Sequence, residues 1–291
     1  MARLTILHET HYSYERPVSF GPHRLMLRPR DTHALRVVEA GLTVSPPGRS
    51  RWVYDALGNS VCLFSPEGEA RALSIVNRLV IERYPAPLDP IRPDNPQTLS
   101  PIVYSRDDRV ALAPFIEPCT EDDNSVLLSW LRGQMGPLDE RALPFLLRLS
   151  NAIHDQFKYA ERYDEGVQSP GETVSKGSGA CRDLAWLMVE SLRRLGYAAR
   201  FVSGYLHDPS GDQRGAGATH AWCEVFLPDL GWMEFDPTNA LAESPDLIPI
   251  AATRTPREAA PVSGVILGDP GHAEMTVRVS VMACENLSQA A

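Results

Sequence analysis

A chain of 291 residues, 43% hydrophobic, can bury one large core or two modest ones, and two are expected here. Its formal net charge of -9 argues against nucleic acid or an anionic membrane as partner. No run approaches the roughly 18 apolar residues of a membrane span. The opening Met1-Ala-Arg-Leu-Thr-Ile-Leu-His8 has no long apolar core of a signal peptide. Five scattered cysteines (Cys62, Cys119, Cys181, Cys223, Cys284) read as reduced thiols, so a cytoplasmic location is expected.

Residues 3 to 15 alternate, with Leu4, Ile6, His8, Thr10, Tyr12 and Tyr14 on one face of a strand. Short strand candidates follow at 24–28, 34–44, 51–54, 60–64 and 71–83, with turn signals at Pro46-Pro47-Gly48 and Leu57-Gly58-Asn59. Many short strands and few helical patterns predict an N-terminal β-sandwich over 1–88. Pro85, Pro87, Pro90, Pro93 and Pro96 then suit an extended connector, placed at 89–100, before a second domain over 101–291. There, helical periodicity appears at 125–132 and 143–157, and Tyr159 to Gly179 reads as a long polar loop facing substrate. A helix begins at Cys181, with Leu184, Leu187, Met188, Leu192 and Leu195 on one stripe and Gly196 as its stop. Strands are predicted at 198–206, 220–227, 231–236 and 275–282, and His207-Asp208 reads as part of an exposed turn.

The chemistry gathers around Cys181. At a helix N-terminus the unpaired backbone N–H groups and the positive end of the helix dipole favour an anion, which suits a nucleophilic thiolate. A cysteine nucleophile needs a base, and the base needs a group that fixes its orientation. His220 heads one strand and Asp236 ends the next; paired antiparallel strands bring such residues within roughly 5 Å. With the helix N-terminus at the same end, Cys181 attacks a carbonyl, His220 shuttles the proton and Asp236 orients His220. The backbone N–H of Cys181 is the candidate oxyanion donor. Glu234, two residues before Asp236 on the same face, competes for that last role.

Four ordered blocks carry a resemblance: Gly179-Ala-Cys-Arg-Asp-Leu-Ala185, Leu195-Gly-Tyr-Ala-Ala-Arg-Phe-Val-Ser-Gly-Tyr205, Thr219-His-Ala-Trp-Cys-Glu-Val225 and Gly231-Trp-Met-Glu-Phe-Asp-Pro-Thr-Asn239. Over about residues 140 to 240 the chain resembles the bacterial branch of the transglutaminase-like superfamily. Its opening, with His8-Glu-Thr-His-Tyr-Ser-Tyr14, Leu25-Met-Leu-Arg-Pro29 and Asp55-Ala-Leu-Gly-Asn59, is similar to the β-rich N-terminal domain that accompanies such cores. The resemblance implies an α+β fold with a papain-like catalytic domain, a Cys181, His220, Asp236 triad, and acyl transfer through a thioester. Tyr159 is the candidate for the side chain that assists the oxyanion in this family. Members hydrolyse amides, cross-link proteins by transamidation, or lack catalysis, and the bacterial branch is mostly assigned as cysteine proteases.

Plainer readings stand beside these. A cysteine at a helix start is usually structural, and only its company makes Cys181 a nucleophile. Asp183 reads as a first-turn carboxylate favoured by the helix dipole; Trp222 and Trp232 read as core or cleft walls. Gly177-Ser178-Gly179 lacks a full phosphate-loop or serine-hydrolase motif and reads as flexibility before the helix. His220 and Cys223, three apart on a strand, face opposite sides, so no metal is expected and Cys223 reads as core. The leading expectation is a cysteine hydrolase of peptide or amide bonds with no cofactor. The alternatives are a protein-glutamine γ-glutamyltransferase with the same triad, and a non-catalytic binding module.

Overall fold

The computed structural model describes residues 2–84, 100–121, 125–137, 140–162, 164–228 and 230–284. The proline-rich connector expected at 89–100 lies outside these apart from Ser100.

The first unit opens with five strands: β1 (Ala2–Leu25), β2 (Leu35–Ser45), β3 (Gly48–Tyr54), β4 (Ser60–Pro66) and β5 (Glu69–Arg83), in the antiparallel order β2-β5-β1-β4-β3. β1 buries Leu4, Ile6, His8 and Thr10, the face predicted from alternation. Its pairing with β5 slips between Ser13 and Val18, and a bulge of this kind bends a strand. The second half of β1 thereby turns into another layer, where it pairs with β4 through His23 to Leu25. Val18, Phe20, Leu25, Cys62, Phe64, Leu73 and Ile75 fill the space between the layers, so the sandwich is one sheet folded over its longest strand. In the β3–β4 turn the Asp55 carboxylate accepts from the Leu57 and Asn59 N–H groups, and Gly58 supplies the φ of +79° that the tight reversal needs.

The second unit begins with α1 (Arg106–Ile116), α2 (Val126–Arg132), α3 (Ala142–Gln156), β6 (Lys158–Tyr159), α4 (Pro170–Lys176), β7 (Ser178–Gly179) and α5 (Cys181–Arg194). It continues through β8 (Ala199–Leu206), β9 (His220–Leu227), β10 (Gly231–Asp236), β11 (Leu241–Ala242) and β12 (Leu247–Thr253), which form an antiparallel sheet in the order β11-β10-β9-β8-β12. Ala221, Cys223, Val225 and Leu227 of β9 share one core with Leu184, Leu187, Met188 and Leu192 of α5, so the helix lies on the odd-numbered face of that strand. Among the described residues no helix is long and apolar enough to cross a membrane.

Two further strands, β13 (Val262–Leu267) and β14 (Ala273–Ala283), leave this unit and pair with β1 along its second and first halves respectively. The expectation of a catalytic domain running from 101 to the end is corrected accordingly: 262–283 completes the first sheet. Period-two alternation marks a strand but not its partner, so a returning tail cannot be told from a local hairpin by pattern alone.

The units meet through an apolar seam. Tyr205, Ile248 and Ile250 of β8 and β12 cluster with Leu4, Ile6, Leu79, Ile81 and Val279 of the first sheet. Each buried aliphatic side chain there contributes about 1.5–3 kcal/mol. At its edge His8 Nδ1 and Tyr205 Oη are 2.8 Å apart in a buried hydrogen bond.

Candidate active site

Three elements converge at one end of the second sheet. α5 brings Cys181 as its first residue, where no carbonyl lies one turn behind to receive its backbone N–H. The helix start is fixed by Asp183. Its buried carboxylate accepts from the Ala180 N–H at 2.9 Å, from the Gln168 N–H and side-chain amide at 2.8 and 3.1 Å, and from Arg162 Nη1 at 2.7 and 2.8 Å. Burial alone raises its proton affinity, yet these donors outweigh it and hold Asp183 below the usual carboxylate range. The first-turn carboxylate expected from the dipole is thus also a clamp, tying the 162–168 segment to the cysteine loop. The stretch from Tyr159 to Gly179 was expected to be loop; it includes α4, capped by Ser169 and Glu172 with Pro170 in its first turn.

β9 begins with His220 and β10 ends with Asp236. His220 Nε2 lies 2.8 Å from Asp236 Oδ2, and both residues are buried. Asp236 Oδ1 accepts from the Thr238 N–H at 2.9 Å, and Oδ2 accepts also from Asn239 Nδ2 at 3.0 Å. The other ring nitrogen, Nδ1, makes no hydrogen bond of normal geometry. The Cys181 thiol acts on the ring as a weak acceptor and as a charge; with Nε2 held by Asp236, Nδ1 is the nitrogen left to meet it. Burial works against a charged imidazole, but the Asp236 carboxylate overrides it, and Cys181 adds to the effect; together they push His220 up to about 10. Asp236 moves the opposite way. Burial disfavours its charge, and the imidazolium, the Asn239 amide and the Thr238 N–H more than compensate.

Glu234 belongs to another group. It faces Glu224, Glu243 and Arg83, whose Nη2 is 4.0 Å from its Oε2, and burial with the neighbouring carboxylates raises its proton affinity well above the ordinary glutamate value. Asp236 is therefore the carboxylate on the histidine. Trp222 is fully buried and stacks on His220, ring centroids 6.1 Å apart. Trp232 is half-buried beneath Arg200, whose Cζ stands 4.1 Å from the ring centroid. Cys223 lies in the α5 core, away from His220, and burial pushes its thiol upward. Among the described residues no three His, Cys, Asp or Glu side chains are grouped to hold a metal ion.

Two positions escaped the reading of the sequence. Gly215, φ +82°, comes so close to the histidine that an added Cβ would lie 3.0 Å from His220 Nδ1 and 3.5 Å from Tyr159 Oη. Asn239 holds the same loop by its backbone. The pairs Arg214-Gly215 and Asp236-to-Asn239 carried signals, a glycine that admits close backbone approach and an amide three residues after a carboxylate, but neither names its target.

The transglutaminase-like superfamily model matches residues 131–237, and that of the bacterial transglutaminase-like N-terminal region matches residues 4–82. This chain belongs to the transglutaminase-like superfamily. Relatives of the same extent include Rv2569c of Mycobacterium tuberculosis, 28% identical with 97% of this chain and 93% of the relative covered. ML0607 of Mycobacterium leprae is 26% identical, with 92% and 94% covered. The fold matches the crystal structure of a candidate cysteine protease from Cytophaga hutchinsonii at a TM-score of 0.74 and 20% identity, over 98% of this chain and 91% of that one. The α+β architecture expected for this superfamily member, a folded β-sandwich joined to a transglutaminase-like core, is the one observed.

Proposed function

We propose that this transglutaminase-like protein is a cysteine hydrolase of peptide or amide bonds, with Cys181 as nucleophile, His220 as general base and acid, and Asp236 as its orienting carboxylate. The observation that carries this reading is the 2.8 Å bond between Asp236 Oδ2 and His220 Nε2, which leaves Nδ1 as the nitrogen to serve the Cys181 thiol that also acts on this ring. Nδ1 takes the thiol proton, and the sulfur attacks the substrate carbonyl. The resulting oxyanion is met by the Cys181 N–H, with the Tyr159 hydroxyl as the second donor. His220 returns the proton to the departing amine, leaving a thioester. A water that His220 deprotonates then attacks the thioester, releasing the acid and restoring the thiol.

Delivery of the same acyl group to an amine, as in a protein-glutamine γ-glutamyltransferase, is the second reading. It is favoured by the depth of the pair, with Cys181 9% and His220 1% exposed, since seclusion from water protects a thioester. The five free cysteines fit a reducing, cytoplasmic compartment. A peptide-library digest comparing the wild type with Cys181→Ala tests the hydrolase: cleavage confined to the wild type is expected, and equal cleavage by both sinks it. Incorporation of a fluorescent amine into casein, exceeding hydrolysis, would select the second reading.

A further inference from the structure

The loop between β8 and β9 lies against His220 and is tied down from two sides. Asn239 grips it like a paired strand: its Oδ1 accepts from the Arg214 N–H at 2.8 Å and its Nδ2 donates to the Arg214 carbonyl at 3.1 Å. The same Nδ2 donates to Asp236 Oδ2 at 3.0 Å. One residue further on, Gly215 stands against Nδ1 of His220, the nitrogen that Asp236 does not hold, and leaves little room for a Cβ between backbone and ring. At the far end the Gly217 carbonyl accepts from the Val279 N–H of β14, 3.1 Å away, which ties the loop to the first sheet. Around these ties the loop is otherwise open to solvent, with Gly211, Asp212, Arg214, Ala216 and Gly217 exposed. Gly211, Gly215 and Gly217 all have φ near +80°, so the segment is built from residues that a closed loop of this shape requires and that reopen at little steric cost.

From this arrangement we infer that Asn239 is a positioning residue that latches residues 207–219 as a lid over the Cys181–His220 pair, so that an extended acyl donor enters only when the Arg214 hydrogen bonds to Asn239 part. The inference rests on the proposed role of that pair and adds its gate. A substrate carbonyl must reach the space between sulfur and Nδ1, and the Gly215 backbone closes one side of it. Because the latch shares the Asp236 carboxylate with His220, opening the lid frees Asn239 from the loop without releasing it from Asp236, and the histidine stays oriented while substrate binds. A small reagent and a peptide-sized one should therefore respond differently to loss of the latch.

The test uses the full chain with three readouts: tryptic cleavage after Arg214, deuterium exchange of the Arg214 amide, and Cys181 labelling by iodoacetamide and by a peptidyl chloromethyl ketone. Asn239→Ala removes both bonds to Arg214. About a tenfold or greater rise in cleavage after Arg214, and in the peptidyl reagent's rate relative to that of iodoacetamide, is expected. Asn239→Asp keeps an acceptor for the Arg214 N–H and loses both donations, so it should fall between wild type and Asn239→Ala. A variant lacking only general stability would not alter the ratio of the two labelling rates. Unchanged cleavage and an unchanged ratio, with Cys181 still reactive, overturn the latch and leave the proposed function standing. An unreactive Cys181 in the wild type removes the proposed function, and tryptic cleavage and exchange still decide the latch. Should Asn239→Ala fail to fold, the wild-type Arg214 amide decides alone: protection is expected, and exchange as fast as in an unbonded loop overturns the inference.

Discussion

At the scale of single residues, His220 is the group whose charge the site is built to keep. Its folded proton affinity, about 10, lies above the ordinary 6.5. The stability this confers is fully present below pH 6.5 and is lost as pH rises toward 10. Asp236 is the mirror case: its contribution is present above its ordinary 3.8 and is lost as pH falls through its lower folded value. A kinetic separation follows. Expelling an amine needs a proton from the imidazolium, so peptide turnover should fall above a pH of about 10. Alkylation of Cys181 needs no such proton and should persist; parallel pH–rate profiles check this. Asp236→Asn should reduce turnover roughly a thousandfold or more, because the imidazole loses its charge partner and its fixed orientation. Glu234→Gln should leave the Cys181 labelling rate unchanged. Glu234 binds its proton more tightly in the folded chain than in the unfolded one. Stability of the wild type therefore declines as pH rises past the ordinary glutamate range, and the Gln variant, followed by thermal melting from pH 5 to 8, should decline less.

At the scale of elements, the start of α5 depends on Asp183 more than on any cap of its own, since Ala180 precedes it and offers no side-chain acceptor. Asp183→Ala should cost about 2–4 kcal/mol, read from urea unfolding, since it strands the Arg162 guanidinium and the Gln168 and Ala180 N–H groups together. Cys181 labelling should slow in parallel. Most elements were legible beforehand. β9, β10 and α5 stand where alternation and periodicity placed them, because their apolar residues keep the strand or helix spacing even though β9 and α5 are buried on almost every side. Others were not. α1 carries Pro114, which obscures a helix whose Ser105 cap was nonetheless present, and α4, opening with Pro170-Gly171, lies in the stretch read as a long polar loop. β12 and β13 were missed because both lie in an irregular tail: Pro249 interrupts the first, and most of the second is exposed, so neither shows a sustained polar-apolar alternation. Cys181, His220 and Asp236 could be singled out because each sits at an element's end. Asn239 and Gly215 act on a backbone and a ring distant in sequence, so the amide and the glycine were visible but their targets were not.

At the scale of the whole molecule, the chain closes on itself: β14 lies along β1, and the sheet it completes packs against the second sheet at Tyr205, Ile248 and Ile250. The buried His8–Tyr205 bond crosses that seam, and burial lowers His8 from 6.5 to about 4. The unfolded chain thus binds more protons there, so stability should fall as pH drops from 6.5 to 4, by up to about 3 kcal/mol. His8→Gln should flatten this acid limb in melting experiments. Truncation after residue 260 should leave the first sheet without β13 and β14 and the protein aggregation-prone, measured by light scattering, because the edge of β1 that they pair with is left open. The most direct measurement of the central claim is residue-resolved mass spectrometry of iodoacetamide labelling at pH 6, for the wild type and His220→Ala. If Cys181, His220 and Asp236 work as one unit, wild-type Cys181 should react at least about a hundredfold faster than exposed Cys119, and the variant should lose that advantage. Equal rates at Cys181 and Cys119, or a Cys181 rate indifferent to His220, would contradict it.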